Sequence, residues 1–247
     1  MDRMLYVAMS GAKQTMLAQT ANTNNLANAN TTGFRADLST FRSMPVFGPG
    51  EPTRVYAMAE KPAVDFSTGV VNSTGRELDI AIKGDGWIAV QAKDGTEAYT
   101  RAGNFRIEEG GLLKTGSGQL VLGNGGPIAI PQAEKIEIGS DGTISIQAIG
   151  QAPNTLAVLD RIKLVNPDPA QLIKGLDGLI RLRGNTPADA DAGVSIVSGA
   201  LETSNVNTVE AMVNMISLAR QFETQMKVME AVKETDGAAT QLLSLNS

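Results

Sequence analysis

Two seven-residue rhythms, one near each end of the chain, restrict this sequence more than any other feature. Between residues 3 and 28 the spacing runs Leu5, Met9, Ala12, Met16, then polar Gln19 and Thr23, then Leu26. Steps of four and three bring side chains to one face of an α-helix and are the spacing of a coiled-coil seam. The C-terminal stretch repeats the rhythm more strongly with Met212, Met215, Ala219, Phe222, Met226 and Met229, while Val209, Val213 and Ile216 widen the stripe. Asn207 in "NTVE" can cap this second helix, and Glu210 stands where a capping box places its carboxylate. Gly237 is the expected stop, so that Thr208 to Asp236 make a helix of roughly 40 Å at 1.5 Å per residue.

The texture between the helices is different. From Ser43 to Pro62, "SMPVFGPGEPTRVYAMAEKP" carries four prolines, which block regular helix and disfavour a central strand, so an extended connector is expected. After it the period becomes two. "LDIAI" sets Leu78, Ile80 and Ile82 on one face, "WIAVQ" follows Gly84-Asp85-Gly86, and "TISIQA" follows Asp141-Gly142. Asp94-Gly95, Gly110-Gly111, Asn124-Gly125 and Asp141-Gly142 supply tight hairpin turns. The expected class is α+β: N- and C-terminal helices pairing as a coiled-coil-like unit around an inserted, mostly antiparallel β domain. The expected divisions are 1–42 for the N-terminal helix and its motif, 43–66 for the connector, 67–203 for the β-rich domain and 204–247 for the C-terminal helix.

Composition removes most chemistries. With no Cys and no His among 247 residues, the thiol nucleophile, the thiolate metal site and the commonest general base are missing. A net charge of −5, with 21 basic residues scattered among 26 acidic ones, offers no basic stripe for nucleic acid. "MLYVAMSGA" could pass for a signal peptide, but Lys13 and Gln14 follow at once and the helical spacing continues, so a retained helix is the better reading. No segment approaches the ~20 apolar residues of a membrane span.

The remaining motifs have bland explanations. Asp85 and Asp94 precede Gly in turns, and Asp79 alternates with apolar neighbours as a solvent-facing strand residue would. "GDG" and "GNGGP" lack the strand-turn-helix setting of a phosphate loop, and "DADAG" at 189–193 lacks the later bidentate Glu of a calcium loop. No catalytic residue, cofactor or metal site is expected, and the chain does not read as an enzyme.

Asn22, Asn24, Asn25, Asn28 and Asn30 crowd the end of the first helix. Helix termination accounts for Asn28, Asn30 and Gly33, because Asn and Gly tolerate the left-handed conformation. It does not account for Asn24 and Asn25, which sit inside the periodic segment. Amides there suit a crowded helical wall in which several copies share hydrogen bonds and register must be fixed. A helix pair of this size buries too little apolar surface to offset the entropy of its own ordering, so further partners are expected to complete it.

"NNLANANTTGFR" (24–35) closely resembles the N-terminal signature of the bacterial flagellar rod and hook proteins. The likeness continues through "TGRELDIAIKGDGWIAVQAKDGTEAYTRAGNFRIEEGGLLKTGSGQLVLG" (74–123) and "SNVNTVEAMVNMISLARQFE" (204–223). The opening "LYVAMSGA", the compact connector and the length are most similar to proximal-rod members, with the distal-rod protein FlgG next. "GWIAV" stands where many relatives have two aromatics after Gly. The resemblance implies an axial structural protein of the basal-body rod in the periplasm, exported by the flagellar export apparatus without a cleaved signal. It implies self-assembly through the terminal helices into a helical tube that transmits torque, alongside rod proteins such as FlgC and FlgG. By the same resemblance Asn24, Asn25, Leu26, Asn28, Gly33 and Phe34 form the first contact motif. Asn205, Val206, Val209, Glu210, Met212 and Asn214 form the second, and the stripe adds Met215, Phe222 and Met226.

Two other classes compete. One is a secreted β-rich binding module whose helices form only a small oligomer; the other is a glycan hydrolase resting on Asp79 or Asp85. Neither has a positive motif.

Overall fold

The computed structural model describes residues 3–45, 55–59, 63–150, 156–184 and 186–245. The chain forms two compact units. The first gathers Met1–Asn28, Ala36–Asp65 and Val206–Ser247, and the second gathers Ala29–Arg35 and Phe66–Asn205.

In the first unit, helix α1 spans Arg3–Ala27 and helix α2 spans Thr208–Leu245. They pack against each other and run antiparallel, since Asn22 meets Ala211 while Thr15 meets Gln225. Asn207 caps α2 as expected, its Oδ1 accepting from the amides of Val209 at 3.1 Å and Glu210 at 3.2 Å. The expected stop at Gly237 is overruled, for α2 continues through it to Leu245. An interior Gly costs about 1 kcal/mol, and the following "AATQLLSL" has neither Pro nor a turn signal to enforce that cost. Asn28 closes α1: its backbone N–H reaches the carbonyls of Asn24 and Asn25, and its Nδ2 donates to the Asn24 carbonyl at 2.9 Å.

Strands Phe41–Pro45 and Val55–Ala59 pair antiparallel, beginning two residues before the stretch expected as a connector and running into it, and α1 packs against Val55–Ala59. Pro45 falls at the last position of its strand, where a missing N–H is tolerated. Residues 46–54 and 60–62 of that stretch lie outside the described residues. Asp37–Leu38 pairs with Ala63–Val64.

The second unit is antiparallel β throughout its described strands. Its principal sheet runs Leu172–Lys174, Ile180–Leu182, Glu97–Thr100, Trp87–Gln91, Leu120–Gly123, Leu113–Thr115 and Phe105–Ile107 in spatial order, with two short strands added alongside. A three-stranded sheet of Ala133–Ile138, Thr143–Ala148 and Ala157–Arg161 packs into the same core. Trp87–Gln91 lies at the centre with both faces covered. Ile88 and Val90 join Ile80, Phe105, Leu113, Val121 and Ile144 on one side, while Trp87 and Ala89 join Tyr99, Val165 and Ile180 on the other.

Asp79 departs from expectation for the same reason. It is 4% exposed, not solvent-facing; its carboxylate accepts the Thr74 hydroxyl at 2.8 Å and forms an ion pair with the Arg76 guanidinium at 3.2 Å. Ala81 beside it is also buried, so both faces of the strand Ile80–Lys83 are covered where alternation predicted one. The turns follow a shared pattern: Asp94 and Asp141 each accept from the backbone amide and hydroxyl of the Thr two residues on. At the Asn124-Gly125 turn the positive φ falls on Gly126 instead.

Candidate assembly interface

The helix pair is closed by small and polar side chains. The Asn22 amide donates to the Ala211 carbonyl at 2.7 Å, and the Thr15 hydroxyl to Gln225 Oε1 at 3.4 Å. A Cβ on Gly11 would lie 3.1 Å from the Gln225 amide nitrogen, so the end of the Gln225 side chain packs directly over Gly11. Ala12, Thr15 and Ala18 are buried on α1, and Ala211 on α2.

This register corrects the expected seam. Of Leu5, Met9, Ala12 and Met16, only Ala12 is buried; Leu5, Met9 and Met16 are exposed, Met16 to 56%. On α2, Met215, Phe222 and Met229 are half-buried, whereas Met212 and Met226 are exposed together with Val209, Val213 and Ile216. A groove of about 600 Å³ passes Val213, Ile216, Arg220 and Thr224. The physical reason is economy of faces. Small residues let two backbones approach, and the larger side chains that cannot fit that gap are left outside it. The unit thus presents apolar stripes on both helices to solvent, an exposure that marks an interaction surface more often than it marks a monomer.

The signature residues are mostly engaged within their own chain. Asn25 is half-buried and pairs with one backbone unit in both directions: its Nδ2 donates to the Asp37 carbonyl at 2.8 Å, and its Oδ1 accepts the Asp37 amide at 2.8 Å. It acts as a one-residue strand that docks the chain after the turn. Asn24 is exposed and Leu26 half-buried. Gly33 has φ +67°, and a Cβ there would sit 2.3 Å from the Arg101 carbonyl carbon. The ring of Phe34 lies 3.9 Å from the Lys174 ammonium, which also donates to the Arg35 carbonyl at 2.7 Å. Asn205 Nδ2 donates to the Ser67 carbonyl at 3.1 Å. Val206 is half-buried, and Val209, Glu210, Met212 and Asn214 are exposed on the first turns of α2.

A buried charge cluster in the second unit escaped sequence reasoning. Glu202, 1% exposed, accepts from Arg35 at 2.6 Å and from Arg101 at 3.0 Å. Burial pulls the Arg101 guanidinium below its usual range, and Glu202 opposes that pull. Both guanidiniums lie over the Trp87 ring, 5.7 and 5.3 Å from its centroid. The only signal in the sequence was that Arg35 and Arg101 stand inside the quoted motifs.

The weighed carboxylates are committed to turns or to the fold. Asp85 and Asp94 are exposed, and Asp191 of "DADAG" accepts the Gly193 amide at 2.8 Å. Among the described residues no cluster of three metal-ligating side chains occurs, and no helix is long and apolar enough to cross a membrane.

Comparison with known proteins finds family matches in three segments of the chain. Residues 5–35 match the family described as Flagella basal body rod protein, 81–146 the Flagellar hook protein FlgE/F/G D1 domain, and 197–242 the Flagellar basal body rod FlgEFG protein C-terminal. The flagellar basal-body rod protein FlgF of Salmonella typhimurium is 45% identical over the full length of both chains. The chain belongs to the flagellar basal-body rod protein family. The FlgF of Escherichia coli is 44% identical, again over both full lengths, and the FlgG of Bacillus subtilis 34% over 95% of this chain and 96% of its own. Membership supports a structural component located in the basal-body rod, alongside other rod proteins, and brings no catalytic family with it. The first and last matches contain most of α1 and most of α2, and the middle one lies inside the second unit.

Proposed function

We propose that this chain is an axial subunit that self-assembles through its terminal helices into a helical tube and transmits torque. The observation that carries the reading is the pair of outward apolar stripes, Leu5, Met9, Met16 and Leu17 on α1 and Val209, Met212, Val213, Ile216 and Met226 on α2. In a rod-family chain those stripes are the surfaces that neighbouring subunits cover. A head-to-tail contact that does not close gives a filament, and interlocked helices pass torque without any catalytic group.

In this reading 1–42 and 204–247 build the assembly surface and 67–203 forms the inserted β domain, joined through 43–66. Around the stripes, Asn24, Leu26, Asn28, Val206, Glu210 and Asn214 contribute to the contact, with Met215 and Phe222 beneath. Asn25, Gly33, Phe34 and Asn205 shape the segments that lead into it. The subunit works in the periplasm beside rod proteins such as FlgC and FlgG, after passage through the flagellar export apparatus without signal cleavage.

The test is complementation of a cell lacking this gene. Replacing Met16 and Met212 together by Asp leaves the β domain folded and abolishes swimming. Normal swimming with that double substitution contradicts the reading, and would favour a β-rich binding module whose helices do not polymerise.

A further inference from the structure

Four peptide junctions carry the chain across the boundary of the second unit, after residues 28, 35, 65 and 205. Inside that unit the segments next to them converge on one side chain. Glu202 Oε1 accepts from Arg35 Nη2 at 2.6 Å and from the Gly69 amide at 2.9 Å, and Oε2 accepts from Arg101 Nη1 at 3.0 Å. The Glu202 carbonyl accepts the Gly33 amide at 2.9 Å. Main-chain bonds from Thr203 to the Val70 carbonyl at 2.8 Å and from Asn205 to the Phe34 carbonyl at 3.4 Å complete the join. Two glycines permit the approach: a Cβ on Gly69 would lie 2.1 Å from the Thr203 carbonyl oxygen, and one on Gly33 would strike Arg101.

The electrostatics of this join suit positioning better than stabilisation. Two guanidiniums share one carboxylate, and Arg35 Nε, Arg35 Nη1 and Arg101 Nε are buried without a hydrogen-bond partner among the described residues. Arg101 Nη2 donates to the Gly84 carbonyl at 2.8 Å, and the face of Trp87, with Phe66 edge-on to it at 5.7 Å, lies against both cations. A buried ion cluster of this kind is seldom more stable than apolar residues of the same volume. It does penalise every alternative seating, because a one-residue slip of 29–35 or of Ala200–Glu202 strands a buried guanidinium with no anion.

We infer that Glu202, with Arg35 and Arg101, is a positioning node that fixes the mutual register of the three segments by which the chain joins the β unit. Its role is conformational specificity at that join. The inference concerns the second unit alone and does not depend on the assembly reading.

Amide exchange on the full-length chain tests it, read at Gly33 and Thr203, whose acceptors are main-chain carbonyls that no substitution removes. In the triple variant R35M/R101M/E202L the core amides of Ile88 and Val90 keep their protection, while Gly33 and Thr203 exchange at least about ten-fold faster. Arg35→Lys, which keeps the charge but loses the planar guanidinium seated over Trp87, shifts the same two amides in the same direction. Unchanged exchange at Gly33 and Thr203 in either variant overturns the inference. A triple variant that fails to fold also overturns it, since the cluster would then be stabilising the unit.

Discussion

The side-chain amide of Asn22 donates to the main-chain carbonyl of Ala211 across the antiparallel helix pair, at 2.7 Å. This bond joins the signature region of α1 to the first turn of α2 and shows which faces of the two helices are spent on each other. Replacing Asn22 by Leu removes the bond and inserts bulk into a seam built for small side chains. It should weaken the pair by about 1–3 kcal/mol. Crosslinking between cysteines introduced on α1 and α2 checks this, with a slower crosslinking rate expected for the variant.

Asn25 and Asn24 are adjacent but should respond differently. Asn25 exchanges two hydrogen bonds with Asp37, whereas Asn24 is exposed. Asn25→Asp keeps the acceptor for the Asp37 amide but sets a carboxylate against the Asp37 carbonyl, so it should cost about 1–3 kcal/mol locally and reduce swimming through misfolding of the turn. Asn24→Ala should leave the turn intact. Proteolysis near residue 37 together with swim-plate diameter separates the two effects.

Gly33→Ala should destabilise the second unit by at least about 2 kcal/mol, combining left-handed strain with a backbone clash against Arg101. Urea unfolding followed by the fluorescence of Trp87 reads this as a lower midpoint with unchanged slope.

The Tyr99 hydroxyl is pushed up to about 12, first by burial and then by Glu97, against the lowering effect of the Ala188 amide. Its folded value lies above the ordinary 10.0. The stability it contributes is therefore full below pH 10.0 and lost as pH rises through about 12. Ultraviolet titration of the folded protein should show one of the three tyrosines ionising near pH 12, and Tyr99→Phe should abolish that step.

Periodicity carried the architecture in the sequence, and it failed where a face had more than one possible neighbour. Steps of three and four located both helices, and Asn207 marked the start of α2. They did not reveal that Thr15, Ala18 and Asn22 would face inward while Met9 and Met16 stayed outside. A heptad shows that a stripe exists; small residues between its members decide which side closes first. In the β unit, alternation misplaced Asp79 because Ile80–Lys83 is covered on both faces. Glu202, Arg35 and Arg101 stayed hidden because their contacts span 167 and 101 residues, far beyond any local spacing. Asn25 and Gly33 were visible as special residues, but their partners within the chain were not.

Amide exchange on the dilute, unassembled protein measures directly whether α1 and α2 need neighbours to be complete. The expected result is rapid exchange along both helices while Ile88, Val90 and their strand partners remain protected, with protection spreading over α1 and α2 once the subunits assemble. Slow exchange throughout both helices in the solitary chain would contradict it.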